Sequence, residues 1–192
     1  MMTQQSKDND RLLDAIERVF NNAQYQKVIE LSEQAINAGF LIPEIFVLAG
    51  NAYYLKKNYE QARKLYTQCI EINSQYPAAY FNRALANRQL GEIILGIADY
   101  TTVITLGKNK VEAYVNRGVL RMKLHLFKFA IEDFTEALAI QPTMFEALHN
   151  RGLAYCELGQ HKEAHDDFQM AINQRSIDSS SQRMHDLPFF KG

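Results

Sequence analysis

An all-α fold built from repeated helix pairs is predicted by three observations. The first is self-similarity at a fixed stride. Val111-Glu-Ala-Tyr-Val-Asn-Arg-Gly118 returns 34 residues later as Phe145-Glu-Ala-Leu-His-Asn-Arg-Gly152, and the same stride backwards reaches Pro77-Ala-Ala-Tyr-Phe-Asn-Arg-Ala84 and Pro43-Glu-Ile-Phe-Val-Leu-Ala-Gly50. A period of this length marks a repeat architecture. The second is apolar residues at helical spacing within each repeat. The third is composition: nine Gly and four Pro in 192 residues leave few turns of special geometry. With 47% apolar and 22% charged residues the chain sits near the globular average, which argues against wholesale disorder and against a fibre.

Five repeats start at residues 9, 43, 77, 111 and 145 without insertion and fill 9–178 (9–42, 43–76, 77–110, 111–144 and 145–178). Residues 1–8 are expected to be a disordered N-terminal segment, and residues 179–192 a tail. Repeats two to five hold small residues at three points. Gly50, Ala84, Gly118 and Gly152 stand at the eighth position, Ala62, Gly96, Ala130 and Ala164 at the twentieth, and Cys69, Val103, Ala137 and Ala171 at the twenty-seventh. Small side chains there let helices approach to about 8 Å. Large residues fill between them: Phe46, Tyr80, Tyr114 and Leu148 at the fourth position, Tyr66, Tyr100, Phe134 and Phe168 at the twenty-fourth.

Repeat one fits this pattern least, with Ile16 and Val28 at small-residue points; its place rests on register and on Leu12, Val19, Tyr25, Ala35 and Ile36. Repeat three has Asn87, Gly96 and no closing Pro. Repeat four is the clearest. Tyr114, Arg117, Gly118 and Arg121 share one helix, a break follows near His125, and a second helix carries Phe127, Ala130, Ile131, Phe134, Ala137 and Leu138. Pro142, which cannot donate into a continuing helix, ends the repeat.

Asn116-Arg117-Gly118, Ala130-Ile131-Glu132-Asp133-Phe134, Ala137-Leu138 and Pro142, with Gly152-Leu-Ala-Tyr155 and Leu158-Gly159, resemble the consensus of tetratricopeptide repeat proteins. The resemblance covers all five repeats and is most specific in the second, fourth and fifth. It implies a right-handed α-solenoid, a superhelix of about ten helices in which each repeat packs only on its neighbours. It also implies a concave groove lined by the first helix of each repeat. Cys69 and Cys156 stand in no C-x-x-C pair and lie three repeats apart, too far for a disulfide. Cys69 is expected in the core and Cys156 at the groove or its edge.

Carried over from the family, the groove positions give an apolar strip of Val47, Phe81, Val115 and His149 with Asn51, Leu85, Val119 and Leu153. Tyr54, Arg88, Met122 and Cys156 extend it, and Leu48, Asn82, Asn116 and Asn150 flank it. A carboxamide both donates and accepts, so three asparagine rungs can hold an extended peptide by its backbone. They can equally bond neighbouring helices, and the sequence leaves both readings open. The family's clamp for a C-terminal carboxylate is disfavoured. Asn51 and Asn82 fit it, but Val47, Glu112 and Asn116 stand where it needs three cations, and Glu112 repels a carboxylate.

No nucleophile–base pairing or phosphate-cradling loop points to an enzyme. His161-Lys-Glu-Ala-His165 places two imidazoles one turn apart, a candidate metal pair near Asp166 or Glu157. His161, however, falls at the seventeenth position, where Tyr25, Tyr59 and Phe127 suggest a packed aromatic site, so no metal or cofactor is expected. Arg83, Arg117 and Arg151 repeat at the seventh position and suggest phosphate contacts, but they sit beside acidic residues such as Glu112 and Glu146, which favours a structural reading. A net charge of −1 supplies no field for nucleic acid. The N-terminus lacks the apolar region of a signal peptide, and no stretch is long and apolar enough to insert into a membrane; a cytoplasmic protein is expected. Met184, Leu187, Phe189 and Phe190 in the tail suggest a cap on repeat five or self-association. The function expected is a non-catalytic scaffold that binds a partner peptide or protein segment in the groove. The alternative is a chaperone-like protein shielding apolar segments of a cargo.

Overall fold

The computed structural model describes residues 4–108 and 110–178. Among these residues there are ten helices and no strand. They are α1 (Gln4–Asn21), α2 (Tyr25–Asn37), α3 (Pro43–Leu55), α4 (Tyr59–Ile72), α5 (Pro77–Gln89), α6 (Ile93–Leu106), α7 (Lys110–Lys123), α8 (Phe127–Ile140), α9 (Phe145–Glu157) and α10 (His161–Asp178). The second helix of every repeat begins at the seventeenth position, and α3, α5 and α9 begin at the first. The all-α fold of helix–turn–helix repeats expected from the period is the fold observed.

One expectation is corrected. Residues 4–8, expected to be disordered, form the first turn of α1. Gln, Ser and Lys there include no helix breaker, and a polar stretch without Gly or Pro continues a helix at little cost. The tail 179–192, with its suggested roles as cap or self-association element, lies outside the described residues.

The turn inside each repeat explains the regular spacing. The fifteenth residue is left-handed in all five: Ala23 (φ 56°), Lys57 (62°), Gly91 (82°), His125 (57°) and Gly159 (72°). The next amide closes the preceding helix by reaching back five residues, as in Gln24 N–H to Val19 O, Asn58 N–H to Tyr53 O and Gln160 N–H to Tyr155 O. This is a Schellman closure, which satisfies carbonyls the helix end leaves unpaired. Asn58 adds a cap, its side-chain oxygen accepting from Gln61 N–H at 3.3 Å, and Pro43 and Pro77 sit where a helix start does not need the missing donor.

The chain forms two compact bodies, an N-terminal one holding α1 to α5 and a C-terminal one holding α6 to α10. The boundary follows Glu92 and so falls inside repeat three. In the N-terminal body Ile16, Phe20, Val28, Ile29, Ile45 and Leu48 form one cluster. Phe46, Val47, Leu65 and Cys69 form another. In the C-terminal body Val115, Phe134, Leu138 and Leu148 pack with Ala130, Ala137, Ala147 and Ala171.

The small eighth residue has a specific partner, the aromatic sixteen residues on. A Cβ at Gly118 would lie 2.7 Å from the Phe134 ring and one at Gly152 2.7 Å from Phe168, while one at Gly50 would overlap Tyr66. Repeat one reverses the sizes, with Ile16 at the eighth position and Ser32 at the twenty-fourth, both fully buried. That exchange keeps roughly the same volume, which cores tolerate. It also strands a hydroxyl: Ser32 Oγ is buried with no hydrogen-bond partner among the described residues. Ser32→Ala is therefore expected to raise stability by about 1 kcal/mol, since it removes an uncompensated polar group. A denaturation midpoint that falls would show that the hydroxyl is satisfied.

Candidate functional site

The expected groove residues divide between the two bodies. On α3 and α5, Val47, Asn51, Tyr54, Phe81, Asn82 and Leu85 are all buried. Their polar groups are committed there. Asn51 Oδ1 accepts from Tyr66 OH at 2.8 Å and from Asn82 Nδ2 at 3.0 Å, and Tyr54 OH accepts from Gln89 Nε2 at 3.3 Å. Burial pushes the Tyr66 phenol well above its ordinary value, so it stays neutral and donates.

On α7 and α9 the equivalent positions are more open. Val115 is buried in the core, but Val119 and Met122 are half-buried, His149 is exposed, and Leu153 keeps 38% of its surface accessible. Asn116 and Asn150 are half-buried. Asn116 Nδ2 donates to Glu112 O one turn back at 2.9 Å, and its carbonyl oxygen accepts no hydrogen bond among the described residues, while the Asn150 carboxamide makes none there. The His149 ring stacks on Phe145, centroids 5.7 Å apart and planes 17° apart, with Phe168 at 5.8 Å. The three asparagine rungs are thus unlike: Asn82 belongs to a buried network, and Asn116 and Asn150 retain free capacity.

The repeated arginines take their partners from facing helices rather than from the acidic residues beside them. Arg117 grips Asp133, Nη2 to Oδ1 at 2.6 Å, and donates to Thr101 Oγ1 at 3.0 Å. Arg151 grips Asp167 through two bonds of 2.7 Å and donates to Thr135 Oγ1 at 3.1 Å. Arg83 donates to Thr67 Oγ1 at 3.2 Å. Glu112 and Glu146 take no part. Each guanidinium joins the second helix of the preceding repeat to its own repeat, or, for Asp133 and Asp167, ties the two helices of one repeat. The signal in the sequence was the recurring separation of sixteen residues, which places Arg and Asp on facing helices.

His161 is exposed rather than packed. In repeats one and two the seventeenth residue packs on a large twelfth one, Tyr25 on Phe20 and Tyr59 on Tyr54. Repeat five offers only Cys156 there, so the imidazole has no broad surface to cover. His165 is exposed as well, and among the described residues no group of three or more His, Cys, Asp or Glu is placed to hold a metal ion. Cys69 and Cys156 are both free, the first buried and the second exposed. Burial raises the Cys69 thiol to about 12. No helix among the described residues is long and apolar enough to cross a membrane.

Left-handed turns at a fixed position and Gly-on-aromatic contacts define a helical repeat protein, a class that typically serves as a non-catalytic interaction scaffold. Family models described as TPR repeat and tetratricopeptide repeat match residues 50–91 and 145–175, so the chain carries tetratricopeptide repeats. It is 42% identical over 52 residues to the DnaJ homolog subfamily C member 7 homolog of Schizosaccharomyces pombe (strain 972 / ATCC 24843). That stretch is 26% of this chain and only 11% of that protein. Its fold is similar to that of MamA, with a TM-score of 0.81 at 18% identity over 93% of this chain and 98% of that one. It is also similar to YrrB, described as a TPR protein with an unusual peptide-binding site, with a TM-score of 0.76 at 15% identity over 86% and 85% of the two chains.

Proposed function

We propose that this protein is an interaction scaffold whose α7–α9 face takes an extended, partly apolar segment of a partner. The observation that carries the reading is the contrast along the expected groove. Its members on α3 and α5 are buried, whereas Val119, Met122, His149 and Leu153 remain accessible beside amide groups with hydrogen-bonding capacity to spare. An apolar strip next to free carboxamides suits a peptide, which must bury side chains and satisfy its backbone together. The peptide-binding site attributed to YrrB lends support at the level of the fold.

The test is selection of a random dodecapeptide library on the immobilised full chain. A Val119→Asp, Leu153→Asp double variant is expected to weaken the selected peptides about tenfold or more, because a carboxylate in an apolar contact is left unpaired. Leu153 is exposed, so Leu153→Asp alone is expected to keep a melting temperature close to wild type, whereas Val119 packs against the C-terminal core and an Asp there is expected to lower it. Asn82→Ala is expected instead to lower stability by about 1–3 kcal/mol by breaking the buried Asn51 network, with binding intact. Peptides held equally well by the double variant would sink the reading.

A further inference from the structure

We propose that the segment occupying the α7–α9 face is cationic at one end, with a Lys or Arg set against Glu112 and Glu146 and apolar residues following onto Val119, Met122 and Leu153. The inference deepens the reading of that face as the binding surface and rests on it.

Its basis is the charge arranged around the apolar strip. Residues 112, 115, 116, 119, 122 and 123 follow each other at steps of three and four or their near neighbours, and so lie along one stripe of α7. Residues 146, 149, 150, 153, 156 and 157 repeat that stripe on α9, 34 residues on. Each stripe therefore opens with a glutamate, continues through a carboxamide and apolar side chains, and closes with Lys123 or Glu157. Three carboxylates thus stand against one ammonium.

Glu112, Glu146 and Glu157 are all exposed, and their carboxylates form no hydrogen bond or ion pair among the described residues. The arginines of α7 and α9 are committed elsewhere: Arg117 and Arg121 to Asp133, and Arg151 to Asp167; Lys110, exposed at the start of α7, forms no ion pair with the three glutamates. Glu112 and Glu146 stand in the first turns of α7 and α9, where the helix dipole favours an acid. Glu157 stands in the last turn of α9, where the dipole disfavours one, so capping does not account for the set. An anionic segment would meet repulsion at both ends of α9, and a neutral one would leave the two first-turn carboxylates without a partner. A cationic side chain next to apolar ones complements the whole stripe, and charge complementarity of this kind selects partners more than it adds affinity.

The experiment is the dodecapeptide selection at ~50 mM salt, where surface charges are weakly screened, followed by fluorescence anisotropy of a selected peptide with the full chain. The expected result is enrichment of Lys or Arg beside apolar residues, and an affinity about three- to tenfold lower in the Glu112→Gln, Glu146→Gln variant, as for exposed ion pairs. Selected peptides that are acidic or without charge bias, or an affinity unchanged by the two Gln substitutions, would overturn the proposal. If such peptides still lose binding to Val119→Asp, Leu153→Asp, the face stands and only its charge preference fails. If no peptide is selected, or binding survives that double variant, both readings fail. A chain that dimerises without peptide and becomes monomeric on Glu112→Gln, Glu146→Gln would assign the face to a second copy and overturn the separate partner.

Discussion

Replacing Asp133 by Ala is expected to destabilise the C-terminal body by about 3–5 kcal/mol, the usual cost of removing one member of a buried ionic group. The carboxylate keeps 2% of its side-chain surface accessible and faces two guanidiniums, Arg117 at 2.6 Å and Arg121 at 2.8 Å, themselves 12% and 20% exposed. Burial pushes the Asp133 carboxyl up from its ordinary value, and the two arginines pull it down without fully offsetting that. The group is therefore not a large net stabiliser, and replacing all three by apolar residues of similar size is tolerable in principle. Removing the acid alone is different. Arg117 keeps only its bond to Thr101 Oγ1, Arg121 keeps its bond to Phe129 O at 3.1 Å, and two positive charges are left together in a partly dry site. Asp133→Asn, which preserves shape and one acceptor, is expected to cost about 1–3 kcal/mol. Urea denaturation of the two variants checks this. A midpoint shift for Asp133→Ala no larger than that of the exposed Glu132→Ala would show that the arginines find other partners.

The parts of the fold that depend on one repeat alone were legible in the sequence. Helix starts at the first and seventeenth positions follow from the spacing of apolar residues, and small residues opposite aromatic ones follow from the period. What depends on a neighbour was less so. His161 matches the aromatic position by register, but its exposure is decided by Cys156, the small residue it would pack on. The acids next to Arg117 and Arg151 in the chain are Glu112 and Glu146, yet the partners are Asp133 and Asp167, because sixteen residues lead to the facing helix and five lead along the same one. The asparagine rungs show the same limit. Asn82, Asn116 and Asn150 share one repeat position and each precedes an Arg, yet the surroundings of each helix make one a buried bridge to Asn51 and leave the others with hydrogen bonds to give.

Tyr66→Ala is expected to cost the N-terminal body about 3–5 kcal/mol, as for other fully buried aromatic side chains. The ring is inaccessible and lies against Gly50, and its hydroxyl donates to Asn51 Oδ1. Ring and hydroxyl can be separated. Tyr66→Phe keeps the packing and leaves Asn51 Oδ1 with its bond from Asn82, so a loss of about 1 kcal/mol is expected. The contact with Gly50 predicts a change of sign. In the wild type, Gly50→Ala forces a methyl into the ring, and overpacking of this sort costs about 1–3 kcal/mol, more than the ~1 kcal/mol that Ala gains over Gly inside a helix. Once Tyr66 is Ala, the space is open and the same substitution is expected to stabilise. A double-mutant cycle on Gly50 and Tyr66, read by urea denaturation, should therefore give a coupling of about 1–3 kcal/mol. Additive effects would mean that the glycine is there for some reason other than the ring. The same cycle on Gly118 and Phe134, where the ring also stands over a glycine, should give a coupling of the same sign, because the contact belongs to the repeat rather than to one place in the chain.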